Sequence, residues 1–522
     1  MSASRVYLRD RMDSQFSFRN NDTADVHDKP DAIQRAIFKE DWYNQTLSIV
    51  VVGASGDLAK KKTYPSLFNL FEENLLPKKF VVYGYARSSK THEELRHHLY
   101  PHLIKTGACE FLVKSFLERC FYYSGKTYGD EAAYSNMVSD LVRFEEISES
   151  PVANRLFYLA VPPTVFGESG VVIKKVGMST TGWIRVVVEK PFGRDLDTCN
   201  ELLKSLSEDF EEHHIYRIDH YLGKEVVQNL MLFRFGNPMW EPLWNRESIE
   251  SVTITFKEPF GTEGRGGYFD QFGIIRDIMQ NHLLQVLTLF AMEPPESDDA
   301  DSIRNAKIEV LNNMDIVTLE DCLLGQYDGY SDDPTIENKD TNCPTYAAIR
   351  CWIHTPRWEG VPFFLQAGKN LNEKLVDIKA RFKPARTLES VQSFSKRLQP
   401  SELVLRLQPN PALELHNNMK TPGLSFLPMK GKMVMNYEDM PDLSNPDAYT
   451  RLILSVIRGD QGSFVRDDEL RRSWEIFTPL LHAIEDSGVQ PLPYKPKSEG
   501  PEDLADWMAL MGKRDATLQS SL

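Results

Sequence analysis

The feature that most constrains this chain is a short apolar run that ends in a glycine-containing turn. Residues 47–52 are almost continuously apolar, which is typical of a parallel strand buried on both faces. Gly53-Ala-Ser-Gly-Asp57 follows, and a helix is predicted over residues 58–73. In such a strand–turn–helix unit the backbone can approach a pyrophosphate at the positive end of the helix. The spacing differs from Gly-x-Gly-x-x-Gly, so an ordinary turn remains the alternative.

Further buried strands are predicted along the first half of the chain. They are residues 80–85, 156–161, 184–188 and 215–219. Short apolar runs of this kind are typical of parallel sheets. We therefore predict an α/β Rossmann-type dinucleotide-binding domain over residues 46–219, preceded by a polar N-terminal extension at residues 1–45.

Two basic residues at strand ends bear on ligand binding. NAD enzymes usually carry an acid after the second strand, where it contacts the ribose hydroxyls, whereas this chain has Arg87 there. Arg87 is therefore suited to the 2′-phosphate of NADP, with a solvated arginine as the alternative. Lys190 follows the strand at 184–188 and is expected in the crevice where ligands of such sheets bind. A loop lysine is the alternative.

The second half shows a different periodicity. Residues 251–257 alternate between apolar and polar, which is the period of an antiparallel strand with one open face. The same pattern or a short apolar run returns at residues 347–353, 362–365, 376–382, 402–407 and 432–437. Because no long helix intervenes, we predict an α+β domain with a large, mainly antiparallel sheet over residues 220–522.

A long helix predicted over residues 272–292 is apolar on nearly all sides and should be buried. It nevertheless carries Asp277, Gln280, Asn281 and His282. Buried polar groups need partners, so four on one helix imply a polar cavity. A lone histidine would more often be a hydrogen-bonded core residue, but beside Asp277 and Asn281 a catalytic role is favoured.

The densest group of functional side chains is Arg-Ile-Asp-His-Tyr-Leu-Gly-Lys-Glu at residues 217–225. Asp219 could orient a general base, and the side chains of His220, Tyr221 and Lys224 could donate hydrogen bonds to an anion such as a phosphate. A charged turn in which Asp219 caps a helix is an equally good explanation.

This nine-residue motif resembles the signature of the glucose-6-phosphate dehydrogenase family. Three more motifs resemble that family in the same order: Gly53-Ala-Ser-Gly-Asp-Leu-Ala59, Glu189-Lys-Pro-Phe-Gly193 and Gly261-Thr-Glu-Gly-Arg-Gly-Gly-Tyr-Phe269. The resemblance spans roughly residues 47 to 500. It implies oxidation of β-D-glucose 6-phosphate to 6-phospho-D-glucono-1,5-lactone with hydride transfer to NADP, the first step of the oxidative pentose phosphate pathway.

The resemblance also implies roles for individual residues. His282 matches the general base, and Asp219 matches the carboxylate that holds it. The implied substrate contacts are Lys190, His220, Tyr221, Lys224, Glu258, Asp277, Lys369, Lys374 and Gln408. The implied cofactor contacts are Gly53, Ser55, Gly56, Asp57, Leu58, Lys62, Arg87, Pro163 and Lys190, with a cis peptide bond before Pro191 aiming Lys190 at both ligands.

The family further implies a homodimer or homotetramer formed through the large sheet. Its animal members hold a second, structural NADP on this sheet with basic residues. At matching places this chain has Gln366, Leu375 and Glu499, so we expect no second NADP.

Composition excludes several classes of protein. Asp and Glu number 75 against 60 Lys and Arg, so a broad affinity for nucleic acid is not expected. The six cysteines form no Cys-x-x-Cys pair, which fits a reducing compartment and argues against a zinc site. The longest apolar runs are too short for a membrane span. We expect a cytoplasmic enzyme, with a peroxisome-like organelle as the alternative because Ser520-Ser-Leu522 distantly resembles Ser-Lys-Leu.

Two other functions compete with catalysis on glucose 6-phosphate. A catalytically inactive sugar-phosphate sensor would keep Lys224 but lose Asp219 or His282, and both are present. An oxidoreductase for a different sugar would lack the anion-binding cluster that follows Asp219.

Overall fold

The computed structural model describes residues 32–105, 107–384, 398–424, 427–439 and 445–512. Most of the N-terminal extension (residues 1–31) and the C-terminal Ser520-Ser-Leu522 lie outside the described residues. The chain divides into two compact units. The first contains residues up to 192, 200–218 and 446–465, and the second contains residues 193–199, 219–445 and those from 466 onward.

The first unit is built on a sheet of six described strands. They are β1 (Thr46–Val52), β2 (Phe80–Ala86), β3 (Cys120–Ser124), β4 (Ala153–Leu159), β5 (Ile184–Glu189) and β6 (Ile215–Ile218). Their order is β3-β2-β1-β4-β5-β6, and every neighbouring pair is parallel. This is the order of a doubly wound dinucleotide-binding sheet, so the predicted Rossmann-type class is confirmed. The sequence patterns miss β3, a five-residue strand whose last two residues are not buried.

Helices precede β1 and connect the strands of this sheet. In the N-terminal half they are Ala32–Ile37, Tyr64–Glu72, His92–Ile104, Glu110–Glu118, Glu131–Ile147, Phe166–Val172 and Leu196–Ser207, with π-helical segments at Ala59–Thr63 and Ile173–Gly177. The single helix predicted over residues 58–73 is thus a π-helical segment followed by an α-helix.

One segment of the first unit, residues 446–465, lies far along the chain. The sequence-based boundary assigns it to the domain 220–522. Its helix Ala448–Arg458 is amphipathic, and Leu452, Ile453 and Val456 are buried in the hydrophobic core that also contains Phe68. Burial of this apolar face joins the helix to the first unit, and its own periodicity does not reveal which core it joins.

The second unit contains a sheet of nine described strands. They are β7 (Ile249–Lys257), β8 (Cys322–Tyr327), β9 (Tyr346–Cys351), β10 (Phe363–Gly368), β11 (Leu375–Phe382), β12 (Glu402–Gln408), β13 (Ala412–Lys420), β14 (Pro428–Asn436) and β15 (Leu492–Tyr494). Their order is β14-β13-β12-β11-β7-β10-β9-β8-β15. Only β7–β10 and β8–β15 are parallel among these described pairs, so the mainly antiparallel class is confirmed. The sequence patterns miss β8, β13 and β15, which are short or carry several polar residues.

The predicted helix over residues 272–292 is interrupted. Gly273 adopts φ 68° and ψ 172°, a conformation that an α-helix does not contain. The structure has a helix at Gly266–Ile274, a π-helix at Ile275–Leu283 and an α-helix at Leu284–Ala291. Periodicity indicates burial here correctly but not the break, because apolar residues continue on both sides of the glycine.

The remaining helices of the second unit are Glu225–Phe235, Ala300–Asn312, Asp467–Ser487 and Leu504–Met511. A salt bridge joins two of them: Lys307 Nζ lies 2.8 Å from Glu469 Oε2, and both side chains have zero exposure. Across the described part of the chain, none of the helices has the length and apolar character that a membrane crossing requires.

Candidate active site

The segment after β6 is a short turn that leads into a helix. Asp219 caps the 3₁₀ turn His220–Gly223, and its Oδ1 accepts a hydrogen bond of 2.9 Å from the Tyr221 amide. The helix Glu225–Phe235 begins directly after Lys224. The charged turn capped by Asp219, one of the two explanations of this motif, is therefore present. Whether the turn also forms a ligand-binding site depends on the contacts of its side chains.

The structure brings Asp219 and His282 together although 63 positions separate them. Asp219 Oδ1 lies 2.6 Å from His282 Nδ1, and the two residues are 3% and 1% exposed. Burial raises the pKa of Asp219, but the charge and hydrogen bond of His282, with smaller contributions from His220 and the Tyr221 amide, lower it overall. Because a carboxylate only accepts, the imidazole donates from Nδ1 and keeps Nε2 as a proton acceptor.

Two aromatic rings pack against the His282 imidazole. Tyr221 stacks on it, with ring centroids 4.4 Å apart and an interplanar angle of 20°. His220 meets it edge to face at 4.6 Å. Burial, followed by the charges of Asp219, Glu258 and Asp277, raises the pKa of Tyr221 far above its usual value. The phenol therefore stays protonated and can act as a hydrogen-bond donor.

Lys224 connects the turn to the large sheet. Its Nζ lies 4.8 Å from the centre of the Tyr221 ring and donates a 2.8 Å hydrogen bond to Gln408 Oε1, at the end of β12. Two residues that the resemblance assigns to substrate binding are thus in direct contact, next to the Tyr221 ring that stacks on His282.

A second cation with acidic neighbours lies at the end of β10. Lys369 Nζ donates to Glu258 Oε2 at 2.6 Å and lies 3.9 Å from Asp277 Oδ2. Lys374 is exposed just before β11, and no hydrogen bond or ion pair among the described residues joins it to this group. The structure therefore groups Glu258, Asp277 and Lys369, while the role of Lys374 stays a prediction.

The polar residues of the π-helix have different partners. Gln280 Nε2 donates to Ser473 Oγ at 2.7 Å, and Asn281 bonds the Arg276 carbonyl and the His282 amide. Asp277 lies near Lys369 and His282 pairs with Asp219, whereas packing turns Gln280 toward the helix Asp467–Ser487. A single polar cavity formed by all four residues therefore stays a prediction.

In the first unit the glycine turn packs closely against the residues that follow β4. Gly53 has φ +89°, and a Cβ there would lie 2.3 Å from the Ala160 carbonyl oxygen. Its amide donates to the Tyr85 carbonyl at 2.7 Å, and the Gly56 amide donates to the Gly53 carbonyl at 2.9 Å. Only glycine fits the first position, because a Cβ would collide with the Ala160 carbonyl.

The exposed end of β2 holds a polar group beside this turn. Arg87 is exposed, with its guanidinium 5.2 Å from the centre of the Tyr128 ring. Ser88 Oγ donates to Ser55 Oγ at 3.0 Å, and Tyr122 Oη donates to the Ser88 carbonyl at 2.6 Å. Sequence reasoning misses Ser88, Tyr122 and Tyr128; adjacency to Arg87 is the signal that points to Ser88.

The other predicted cofactor residues lie near strand ends or in the turn. Asp57 forms ion pairs with Lys60 and Lys61, and hydrogen bonds from these lysines lower its pKa to about 2. Leu58 precedes the π-helix, Lys62 pairs with Asp447 at 3.1 Å, and Pro163 opens a 3₁₀ turn after β4. Lys190 follows β5, and the cis peptide bond expected between Lys190 and Pro191 is present.

Two family models match most of the chain. The model described as "Glucose-6-phosphate dehydrogenase, NAD binding domain" matches residues 50–229, and "Glucose-6-phosphate dehydrogenase, C-terminal domain" matches residues 231–515. These matches correspond to the two kinds of sheet described above.

Individual proteins show the same similarity. The chain is 46% identical over 467 residues to the cytoplasmic isoform of glucose-6-phosphate 1-dehydrogenase from Solanum tuberosum, covering 88% of this chain and 90% of that protein. The chloroplastic enzyme of the same plant is 46% identical over 472 residues, covering 87% and 81%. Among solved structures, a glucose-6-phosphate dehydrogenase in complex with its substrate glucose-6-phosphate has a TM-score of 0.85 at 42% identity, covering 91% of this chain and 99% of that one.

Proposed function

The chain belongs to the glucose-6-phosphate dehydrogenase family, and on that premise we propose how its residues oxidise β-D-glucose 6-phosphate to 6-phospho-D-glucono-1,5-lactone with NADP as hydride acceptor. The observation that carries the proposal is the buried pair of Asp219 and His282, with Lys224 nearby. A base, its orienting carboxylate and a cation for the phosphate are the groups that this oxidation requires.

His282 acts as the general base. The anomeric carbon loses hydride readily only as its hydroxyl loses a proton, so Nε2 of His282 accepts that proton. Asp219 keeps the ring in the required tautomer and stabilises the imidazolium that forms. NADP, when bound, would supply the hydride acceptor, while the anomeric oxygen becomes the lactone carbonyl oxygen and the proton on His282 later leaves for solvent.

The substrate phosphate is bound by His220, Tyr221 and Lys224. Lys224 contributes a charge, and the protonated Tyr221 contributes a hydrogen-bond donor. Glu258, Asp277, Lys369 and Gln408 bind the sugar hydroxyls, and Lys190 and Lys374 supply further cationic contacts to the substrate. The ion pair of Lys369 with Glu258 gives the sugar both a donor and an acceptor at one place.

The first unit fits a dinucleotide with a 2′-phosphate. We expect a pyrophosphate above the turn, at the start of the helical segment that follows β1. The residues that would hold it are Gly53, Ser55, Gly56, Asp57, Leu58 and Lys62. Arg87 is exposed at the end of β2, and Ser88 adds a hydroxyl beside it. A cation there favours NADP over NAD, whereas an acid would favour NAD.

The deciding experiment follows the absorbance of reduced cofactor when purified protein meets glucose 6-phosphate with NADP, then with NAD, and then with glucose in place of the phosphorylated sugar. We expect fast reduction with NADP and glucose 6-phosphate only. Arg87→Ala should raise KM for NADP while leaving KM for NAD nearly unchanged. Equal loss with both cofactors would contradict the 2′-phosphate assignment, and absent reduction with intact substrate binding would point to a sensor.

The exposed face of the large sheet supports a homodimer or homotetramer. Met419, Met429, Met433 and Met435 are each more than 40% exposed, and Met419 pairs with Met429 across β13 and β14. Contiguous exposed apolar surface of this kind marks interaction sites. Light scattering should give the molar mass of a dimer or a larger oligomer, and Met433→Lys should lower that mass toward the monomer. An unchanged mass would place the interface elsewhere.

A cytoplasmic location is the one that we propose for the enzyme. The support is similarity to a plant isoform named cytoplasmic, although a chloroplastic isoform is equally similar. Imaging of an N-terminally tagged chain leaves Ser520-Ser-Leu522 free, so punctate organelle fluorescence would overturn the proposal in favour of the alternative.

A further inference from the structure

Three side chains around the base converge in a way that proton transfer alone does not require. One carboxylate oxygen of Asp219 and one ring nitrogen each of His220 and His282 lie within 4.8 Å of one another. Two imidazoles and a carboxylate are the donor set of open zinc sites with three protein ligands. No cysteine takes part, so the cysteine spacing gives no indication of this group.

Asp219 supplies an independent observation that points to a cation. Its Oδ1 already accepts hydrogen bonds from His282 and from the Tyr221 amide. Its Oδ2 is buried and has no hydrogen-bond partner among the described residues. A buried carboxylate oxygen without a partner is costly, and a metal ion would satisfy it.

We propose that a divalent transition ion of the zinc type binds Asp219, His220 and His282 and thereby inhibits the enzyme. Binding at Nδ1 of His282 would displace its proton to Nε2, the nitrogen that must accept the sugar's proton. Binding at Nε2 would occupy that lone pair directly. Either way the base is blocked. The inhibition rests on the proposed function, whereas the binding does not.

The site needs a modest contraction to hold the ion. Zinc bonds to nitrogen and oxygen are about 2.0–2.2 Å long, so tetrahedral ligand atoms lie about 3.3–3.6 Å apart. His220 is partly exposed, whereas Asp219 and His282 are buried. His220 is therefore the side chain that moves to close the site. Nitrogen donors favour zinc over Mg²⁺, which prefers oxygen ligands and octahedral geometry.

The same convergence predicts competition with substrate. His220 cannot coordinate an ion and donate to the sugar phosphate with the same nitrogen. We therefore expect glucose 6-phosphate to weaken zinc binding, and zinc to raise KM for glucose 6-phosphate as well as lowering turnover at saturating metal.

The binding test uses the full-length, metal-stripped protein without substrate or cofactor. Zn²⁺ is titrated against a chromophoric chelator, and Co²⁺ reports tetrahedral ligands by its visible absorption. We expect a one-to-one complex whose affinity falls at least about 10- to 100-fold in His220→Asn, since losing even an outer-shell partner typically costs that much. Mg²⁺ should not compete.

Two other histidines of the second unit provide controls. His354, which is exposed, lies between Asp315 and Glu359, and His416, which is partly buried, lies between Glu402 and Glu414, so each combines one imidazole with two carboxylates. His354→Asn and His416→Asn should leave the tightest binding step and its inhibition unchanged. Tight binding that disappears in either control, or that survives in both His220→Asn and Asp219→Asn with normal thermal unfolding, would overturn the proposal.

Activity separates this proposal from the proposed function. In metal-free buffer the enzyme should reduce NADP, Zn²⁺ should stop it, and a chelator should restore it. If the protein binds zinc in a His220-dependent way but never oxidises glucose 6-phosphate, the proposed function is refuted and the zinc site is supported. If the enzyme is active but shows no His220-dependent zinc binding, the zinc site is refuted and the proposed function is supported.

Discussion

The buried salt bridge between Lys307 and Glu469 allows one stability prediction to be worked out fully. Both side chains have zero exposure, and the charged atoms are 2.8 Å apart. Lys307→Met removes the cation and leaves the carboxylate buried without its partner, which typically costs about 3–5 kcal/mol. The entropy of unfolding is about 2.1 cal/mol/K per residue, or about 0.6 kcal/mol/K for a unit of roughly 300 residues. The expected fall in Tm of the second unit is therefore about 5–8 °C.

Differential scanning calorimetry on the full chain would measure this shift, with Asn305→Met as a control because Asn305 is exposed on the same helix. Combining Lys307→Met with Glu469→Gln removes both charges and should recover most of the lost stability, since the penalty comes from the unpaired charge. A fall in Tm under 2 °C for Lys307→Met, or no recovery in the double variant, would show that the pair is hydrated or already neutral.

Three further changes test the site and the sheet. His282→Asn should lower turnover by about 10²- to 10⁴-fold with little change in substrate binding, because it removes one general base; unchanged steady-state turnover would contradict the assignment. Lys224→Ala should raise the dissociation constant for glucose 6-phosphate by about 10- to 150-fold, because one charge-assisted hydrogen bond is lost, and should reduce the salt dependence of binding. Calorimetry would measure both, and binding that stays tight and salt-sensitive would count against a phosphate contact. Burial raises the pKa of Asp377, so the stability of the wild-type protein falls as pH rises through that pKa. Asp377→Asn should therefore unfold at a higher urea concentration than wild type at pH 7, but not near pH 3. An equal gain in stability at both pH values would rule out the charge as the cause.

The sequence predicts the architecture well wherever a pattern is local. Apolar runs identify β1, β2, β4 and β5 because buried parallel strands need no polar face. Periodicity is silent about partners, and the predicted boundary at residue 219 places the helix Ala448–Arg458 in a different domain from the core that it joins. It also misses the break at Gly273, where a backbone angle and not a hydrophobic pattern ends the helix.

The candidate site shows the same division. The motif at residues 217–225 makes Asp219 a candidate, and the resemblance supplies its partner, but no spacing rule links it to a histidine 63 positions away. The partner of Gln280 depends on where Ser473 lies, which packing of a distant helix determines. The stacking of Tyr221 on His282 likewise depends on tertiary geometry. Residue chemistry is readable from the sequence, whereas pairing across the chain is not.

The late helix of the first unit also sets an order of events during synthesis. A ribosome completes residues 219–445 before it makes the helix Ala448–Arg458. During that time, part of the apolar core of the first unit stays exposed. A chain released at residue 218 would keep that core exposed, and such surfaces aggregate readily. Expression of the first unit alone should therefore require residues 446–465 to be supplied, either fused through a linker or as a separate peptide.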